Sequence, residues 1–135
     1  MTKVHLPIFD HDDAFFWQGT AEGKLLIQRC TNCCALRHPP APMCARCSSF
    51  DWDTIESSGR GVIRSWIVSQ HPTEPSTEPR IVILVELDEG TRLVSNLHGS
   101  PADNVANGLR VEAVFVDFGD IVLPQFRLAT DGVER

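Results

Sequence analysis

The 135-residue chain contains no tyrosine and only two lysines and two methionines. Its longest apolar run, Ile81 to Val85, is five residues, against the roughly 20 that a membrane-spanning helix needs. The opening Met1-Thr2-Lys3-Val4-His5-Leu6-Pro7 lacks the apolar stretch of a secretory signal. These absences lead to the expectation of a soluble, cytoplasmic protein with no membrane role. Scarce lysine and missing tyrosine also count against a nucleic-acid surface, which needs concentrated positive charge and stacking rings.

What is present narrows the choice further. A hydrophobic content of 42% is too high for a disordered chain, and the length suits one ordinary domain or two very small ones. Charge is unevenly placed. Residues 1–50 hold five basic side chains against four acidic ones, whereas residues 51–135 hold seven against fourteen. The C-terminal part therefore repels phosphate backbones.

Four of the five cysteines form two pairs, Cys30-Thr-Asn-Cys33 and Cys44-Ala-Arg-Cys47, separated by ten residues. Two residues between thiolates let a tight turn aim both sulfurs at one point. Two such turns face to face make the tetrahedron that Zn²⁺ prefers. A four-thiolate set leaves no position open for water, so the expected zinc is structural rather than catalytic. Iron is the lesser alternative, since tetrahedral sulfur ligation suits it too. Cys34 directly follows Cys33 and could pair with Cys30 at C-x3-C spacing, but reads more simply as a spectator thiol. A set of Cys33, Cys44 and Cys47 with His38 is a further, less favoured arrangement.

Along the chain, Asp10, Asp12 and Asp13 precede Phe15, Phe16 and Trp17, which suggests a capped helix of one to three turns. Residues 24–29 and 48–53 read as short strands flanking the cysteine turns, and Pro39, Pro40 and Pro42 exclude helix between them. From Gly61 the pattern turns β-rich. Strands are expected at 61–69, 81–87, 91–97, 109–118 and 121–126, with a proline-rich loop from His71 to Pro79 and a connection at 101–108. Asp88-Glu89-Gly90 and Gly119-Asp120 are hairpin signals. The expected architecture is mainly β: a short N-terminal helix and zinc ribbon over residues 1–53, then a five-stranded OB-fold Greek-key barrel over 54–135.

This order of elements resembles the zinc-ribbon/OB-fold family catalogued as domain of unknown function 35. The resemblance rests on Phe16-Trp17, Gly23-Lys24-Leu25, the two C-x2-C pairs and Pro39-Pro40. It extends through Gly59-x-Gly61-Val62, Leu87-Asp88-Glu89-Gly90 and Leu123-Pro124-Gln125-Phe126. Cys34 stands where that family usually has glycine, and Ala41 where arginine often follows the prolines. The resemblance implies a rubredoxin-like ribbon and a non-catalytic accessory subunit in acyl-CoA chemistry. Such a subunit docks on a thiolase-superfamily acyltransferase, condensing enzyme or aldolase and helps form its substrate entrance.

Phe15, Phe16 and Trp17 are the candidate contacts for a partner or an acyl-CoA thioester, because three adjacent aromatics cannot all face one side of a short helix. The plainer reading is that they cover a small core. A single-strand nucleic-acid binder is the rival function for a ribbon joined to a barrel. It is disfavoured by the acidic barrel and by the absence of any aromatic residue from 81 to 97. A self-sufficient enzyme finds no support in the scattered His5, His11, His38, His71 and His98. Asp117-Phe118-Gly119 is strand and turn rather than part of a kinase, and no phosphate-binding loop is present.

Overall fold

The computed structural model describes residues 11–70, 73, 79–99 and 104–129. The calls on His5, Asp10, His71, most of the proline-rich loop and the start of the 101–108 connection fall outside these residues.

The aromatic segment folds as helix α1, Ala14–Ala21. Asp13 takes the cap position, but through its backbone. Its carbonyl accepts the N–H groups of Phe16 (3.0 Å) and Trp17 (3.4 Å), and its side chain makes no capping bond. The chain then enters β1 (Leu26–Cys30), the centre of a three-stranded antiparallel sheet between β2 (Leu36–Arg37) and β3 (Trp52–Glu56). The third strand starts later than the expected 48–53. Ser48, at φ 67°, turns the chain after the second cysteine pair, and pairing with β1 runs from Cys30↔Trp52 to Leu26↔Glu56.

Two glycines carry the chain into the second sheet. Gly59 sits at φ +80°, in the left-handed region that other residues avoid. Gly61 lies so close to a neighbouring strand that a Cβ would collide with the Glu86 carbonyl oxygen. The five expected strands follow: β4 (Arg60–Ser69), β5 (Arg80–Leu87), β6 (Arg92–Asn96), β7 (Arg110–Asp117) and β8 (Val122–Leu128). Their order is β6-β5-β4-β7-β8, and a parallel bridge between Leu97 and Phe126 links the two outer strands. The sheet thereby curls into a nearly closed Greek-key barrel with the connectivity of an OB-fold. Both hairpins form as expected. Gly90 (φ +102°) and Gly119 (φ +97°) occupy their turns, and Phe118 N–H donates to the Ile121 carbonyl at 2.8 Å.

Alternation fills the barrel. Ile81, Ile83, Val85 and Leu87 of β5 point inward, joined by Ile63, Leu93, Val111 and Phe126. The core does not stop at the barrel wall: Phe16 of α1, Leu25 and Ile27 belong to the same buried cluster. Polar ties reinforce the junction. The Glu89 carboxylate accepts from Ser57 Oγ (2.7 Å) and from Ser58 N–H (2.9 Å), binding the β5–β6 turn to the β3–β4 link. No helix among the described residues is long and apolar enough to cross a membrane.

Candidate metal centre and the adjoining groove

Each C-x2-C pair makes the same turn. Cys34 N–H donates to the Cys30 carbonyl (2.9 Å), and Ser48 N–H donates to the Cys44 carbonyl (2.8 Å). Both donors have φ 67°, so Cys34 and Ser48 hold equivalent left-handed positions where glycine would be unstrained. The turns bring Cys30, Cys33, Cys44 and Cys47 together, with all four sulfurs within 4.8 Å of one another. Cys30 Sγ lies 3.5 Å from Cys47 Sγ, and Cys33 Sγ lies 3.6 Å from Cys44 Sγ. Sulfurs at the corners of a tetrahedron with metal–sulfur bonds of about 2.3 Å would be about 3.8 Å apart. The donor set therefore fits a tetrahedral, thiophilic metal ion. Neither Cys34 nor His38 belongs to the cluster.

The surroundings prepare some sulfurs for ionisation. Asn32 Nδ2 approaches Cys47 Sγ at 3.3 Å. This amide, with the Ser49 N–H next in importance, draws the Cys47 thiol down to about 6. The N–H groups of Cys47 and Arg46 lower Cys44 as well. Cys33 goes the other way. The Ala35 N–H acts to lower it, but burial and the three neighbouring sulfurs together push it up to about 11. Four adjacent thiols cannot all ionise without a cation among them, and a bound metal supplies that charge.

Beneath the cluster, the ribbon is organised by a buried glutamine. Gln28 Oε1 accepts from Arg37 Nε (3.0 Å) and from the Ala41 N–H (2.9 Å), while Arg37 also donates to the Ala41 carbonyl. Gln28 thus fixes the path between the cysteine pairs. Nothing in the amino-acid pattern singles it out, because a lone glutamine in a strand has no spacing to betray its role.

The three candidate aromatics separate. Phe16 is core, 4% exposed, with its ring 5.3 Å from that of His38. Burial lowers the His38 pKa, so the imidazole there is neutral at pH 7. Phe15 packs on Trp52 at 5.0 Å. Trp17 meets Phe16 edge-on at 4.8 Å and, half-buried, lines a groove of about 310 Å³. That groove lies where α1, the Pro39-Pro40 turn, β6 and β8 meet, with Val94 and Pro124 in its opposite wall. Of the histidines, His11, His38 and His98 lie on separate elements, and no His, Cys, Asp or Glu cluster besides the thiol one occurs among the described residues.

Comparison with known proteins places this arrangement. Residues 17–53 match the model for the ChsH2 rubredoxin-like zinc ribbon domain, and residues 54–116 match that for the ChsH2 C-terminal OB-fold domain. A probable enoyl-CoA hydratase alpha subunit of Thermomonospora curvata is 46% identical over 91% of this chain and 39% of its own length. The 3-oxo-4,17-pregnadiene-20-carboxyl-CoA hydratase alpha subunit of Mycobacterium tuberculosis is 40% identical over 84% of this chain and 37% of its own. The chain thus spans well under half the length of these two curated relatives. A solved chain described as the Ltp2-ChsH2(DUF35) aldolase is 45% identical with a TM-score of 0.85, covering 93% of this chain and all of that one. With both domain models matched in order, and a solved relative matched along its whole length, the chain belongs to the ChsH2/DUF35 family of zinc-ribbon and OB-fold proteins.

Proposed function

We propose that this chain is a non-catalytic accessory subunit, docking on a thiolase-like acyl-CoA enzyme and helping to form its substrate entrance. The observation that carries the reading is the full-length likeness to a chain of the Ltp2-ChsH2(DUF35) aldolase. The CoA thioesters in the names of the two hydratase relatives point to the same substrate class. The Trp17 groove supports it from within, as an apolar recess that a partner loop or an acyl chain could fill. Phe15 and Trp17 are the half-buried aromatics available for contact, while Phe16 supports them from the core.

In this reading residues 1–53 form the ribbon unit and residues 54–135 the barrel unit. Cys30, Cys33, Cys44 and Cys47 would hold a structural zinc, with iron the lesser alternative. All four donors are protein thiolates, so the ion would supply cross-linking and leave no position for substrate. The barrel's positive side chains support a protein partner over a nucleic acid. Arg64 and Arg92 pair with Glu86, Arg110 with Asp88, and Arg127 with Glu112.

Co-expression with a thiolase-superfamily protein from the same source tests the proposal. The expected result is a complex that survives gel filtration and is weakened by Trp17→Ala. An isolated chain that takes no such partner and has no acyl-CoA affinity would overturn it.

A further inference from the structure

The barrel's longest strand is only half enclosed. On its β7 side, β4 is paired from Arg60 to Val62, and Ile63 N–H still donates to the Leu109 carbonyl. Beyond that point a bulge between Ile63 and Ser65 shifts the register. Arg64 sits in the bulge without a register partner, Ser65 to Ser69 pair with β5 alone, and among the described residues no strand covers the other edge from Arg64 to Ser69. All six of these residues are exposed.

The exposed side chains are not those of a solvated edge. Trp66 lies opposite Ile83 and Val68 opposite Ile81, and both partners are buried in the core. Trp66 and Val68 therefore project on the core side of the sheet, yet remain 37% and 43% exposed. Ile67 projects on the other side and is 61% exposed. Natural edges are usually protected by lysine, proline or inward charge. Here Ser65 to Gln70 contains none of these.

We propose that this edge pairs with the same edge of a second copy, antiparallel about a two-fold axis through Ile67. The sequence Ser65-Trp66-Ile67-Val68-Ser69 reads the same in polarity from either end. In the register that sets Ile67 against its own copy, Trp66 meets Val68 and Ser65 meets Ser69. Arg64 meets Gln70, so no like charges are opposed. A strand added there packs apolar side chains against these on both faces and pairs with backbone groups that no strand among the described residues takes up. An edge about 20 Å long and about one sheet spacing, ~10 Å, deep offers roughly 200 Å², short of the roughly 800 Å² per partner of a standard stable interface. The dimer should therefore be concentration-dependent. The inference does not depend on the accessory role proposed above.

Sedimentation equilibrium of the full chain over a broad concentration range is the test. The mass should rise from 15.0 kDa toward twice that value. Ile67→Lys and Ile67→Glu should each stay monomeric, because each opposes like charges on the axis. Mixed together, the two variants should recover the dimer. Far-UV circular dichroism and metal content should match the parent chain, and Val94→Lys, at an exposed apolar site on β6, should still dimerise. A parent chain that stays monomeric throughout would overturn the proposal. So would a dimer insensitive to Ile67, or variants that fail to complement each other. Loss of an enzyme partner in Ile67→Lys without any change in self-association would assign the edge to that partner and likewise overturn it.

Discussion

In the barrel, Ile63, Ile83, Val85, Val111 and Phe126 are almost fully enclosed, and alternation along β5 places every second side chain inside. In the ribbon, the buried positions after Ile27 are Gln28, Cys30 and Cys44. Both regions are antiparallel β-structure of similar local geometry, but the barrel gains order by removing apolar surface from water. The ribbon closes around a thiol cluster and a glutamine hub, which need a cation and satisfied hydrogen bonds. Similar strands can therefore respond to opposite insults.

The sharpest way to break the comparison is Cys44→Ser. Structural zinc sites of this kind contribute on the order of 10 kcal/mol, so the variant should lose its metal and the β1–β2–β3 sheet. The barrel strands should persist at reduced stability, because Phe16, Leu25 and Ile27 leave the common core. Metal analysis with amide exchange distinguishes the outcomes, and a variant that kept metal and stability would refute the ligand set. Phe126→Ala is the converse. Deleting this ring should cost about 3–5 kcal/mol in denaturant unfolding, with metal content unchanged in the surviving native state.

Smaller effects refine the picture within the ribbon. Cys34→Gly should retain the metal and gain roughly 1 kcal/mol or less, by relieving a left-handed backbone at φ 67°. Loss of metal in that variant would instead make Cys34 a ligand. The smallest effect concerns Arg29 and Asp53, whose bidentate contact at 2.7 and 2.8 Å joins β1 to β3. Hydrogen bonding to Arg29 holds the Asp53 carboxyl below its ordinary value. Its stabilisation is thus complete above the normal carboxylate range and is lost as pH falls through the lowered value. Asp53→Asn should lower neutral stability only slightly, as the pair is partly exposed, leave stability below that window unchanged, and so flatten acid unfolding across it.

The sequence revealed what depends on spacing. Two C-x2-C pairs, period-two apolar runs and glycine turns located the cysteine cluster and all five barrel strands. It did not reveal what depends on contacts distant along the chain. The third ribbon strand lies where pairing with β1 puts it, and Gln28 acts through Arg37 and Ala41. The aromatic triplet divided into core, ribbon contact and groove wall only once the ribbon and barrel had met. Apolar residues in β4 look alike in sequence whether a neighbouring strand covers them or not.

One consequence concerns mechanics. Only Ser57, Ser58 and Gly59 separate β3 from β4, and Glu89 clamps the first two. With apolar packing continuous across the same seam, the chain has no evident hinge there. It should behave as a rigid bracket, in which any body gripping the cysteine end is held at a set angle to any body gripping the barrel.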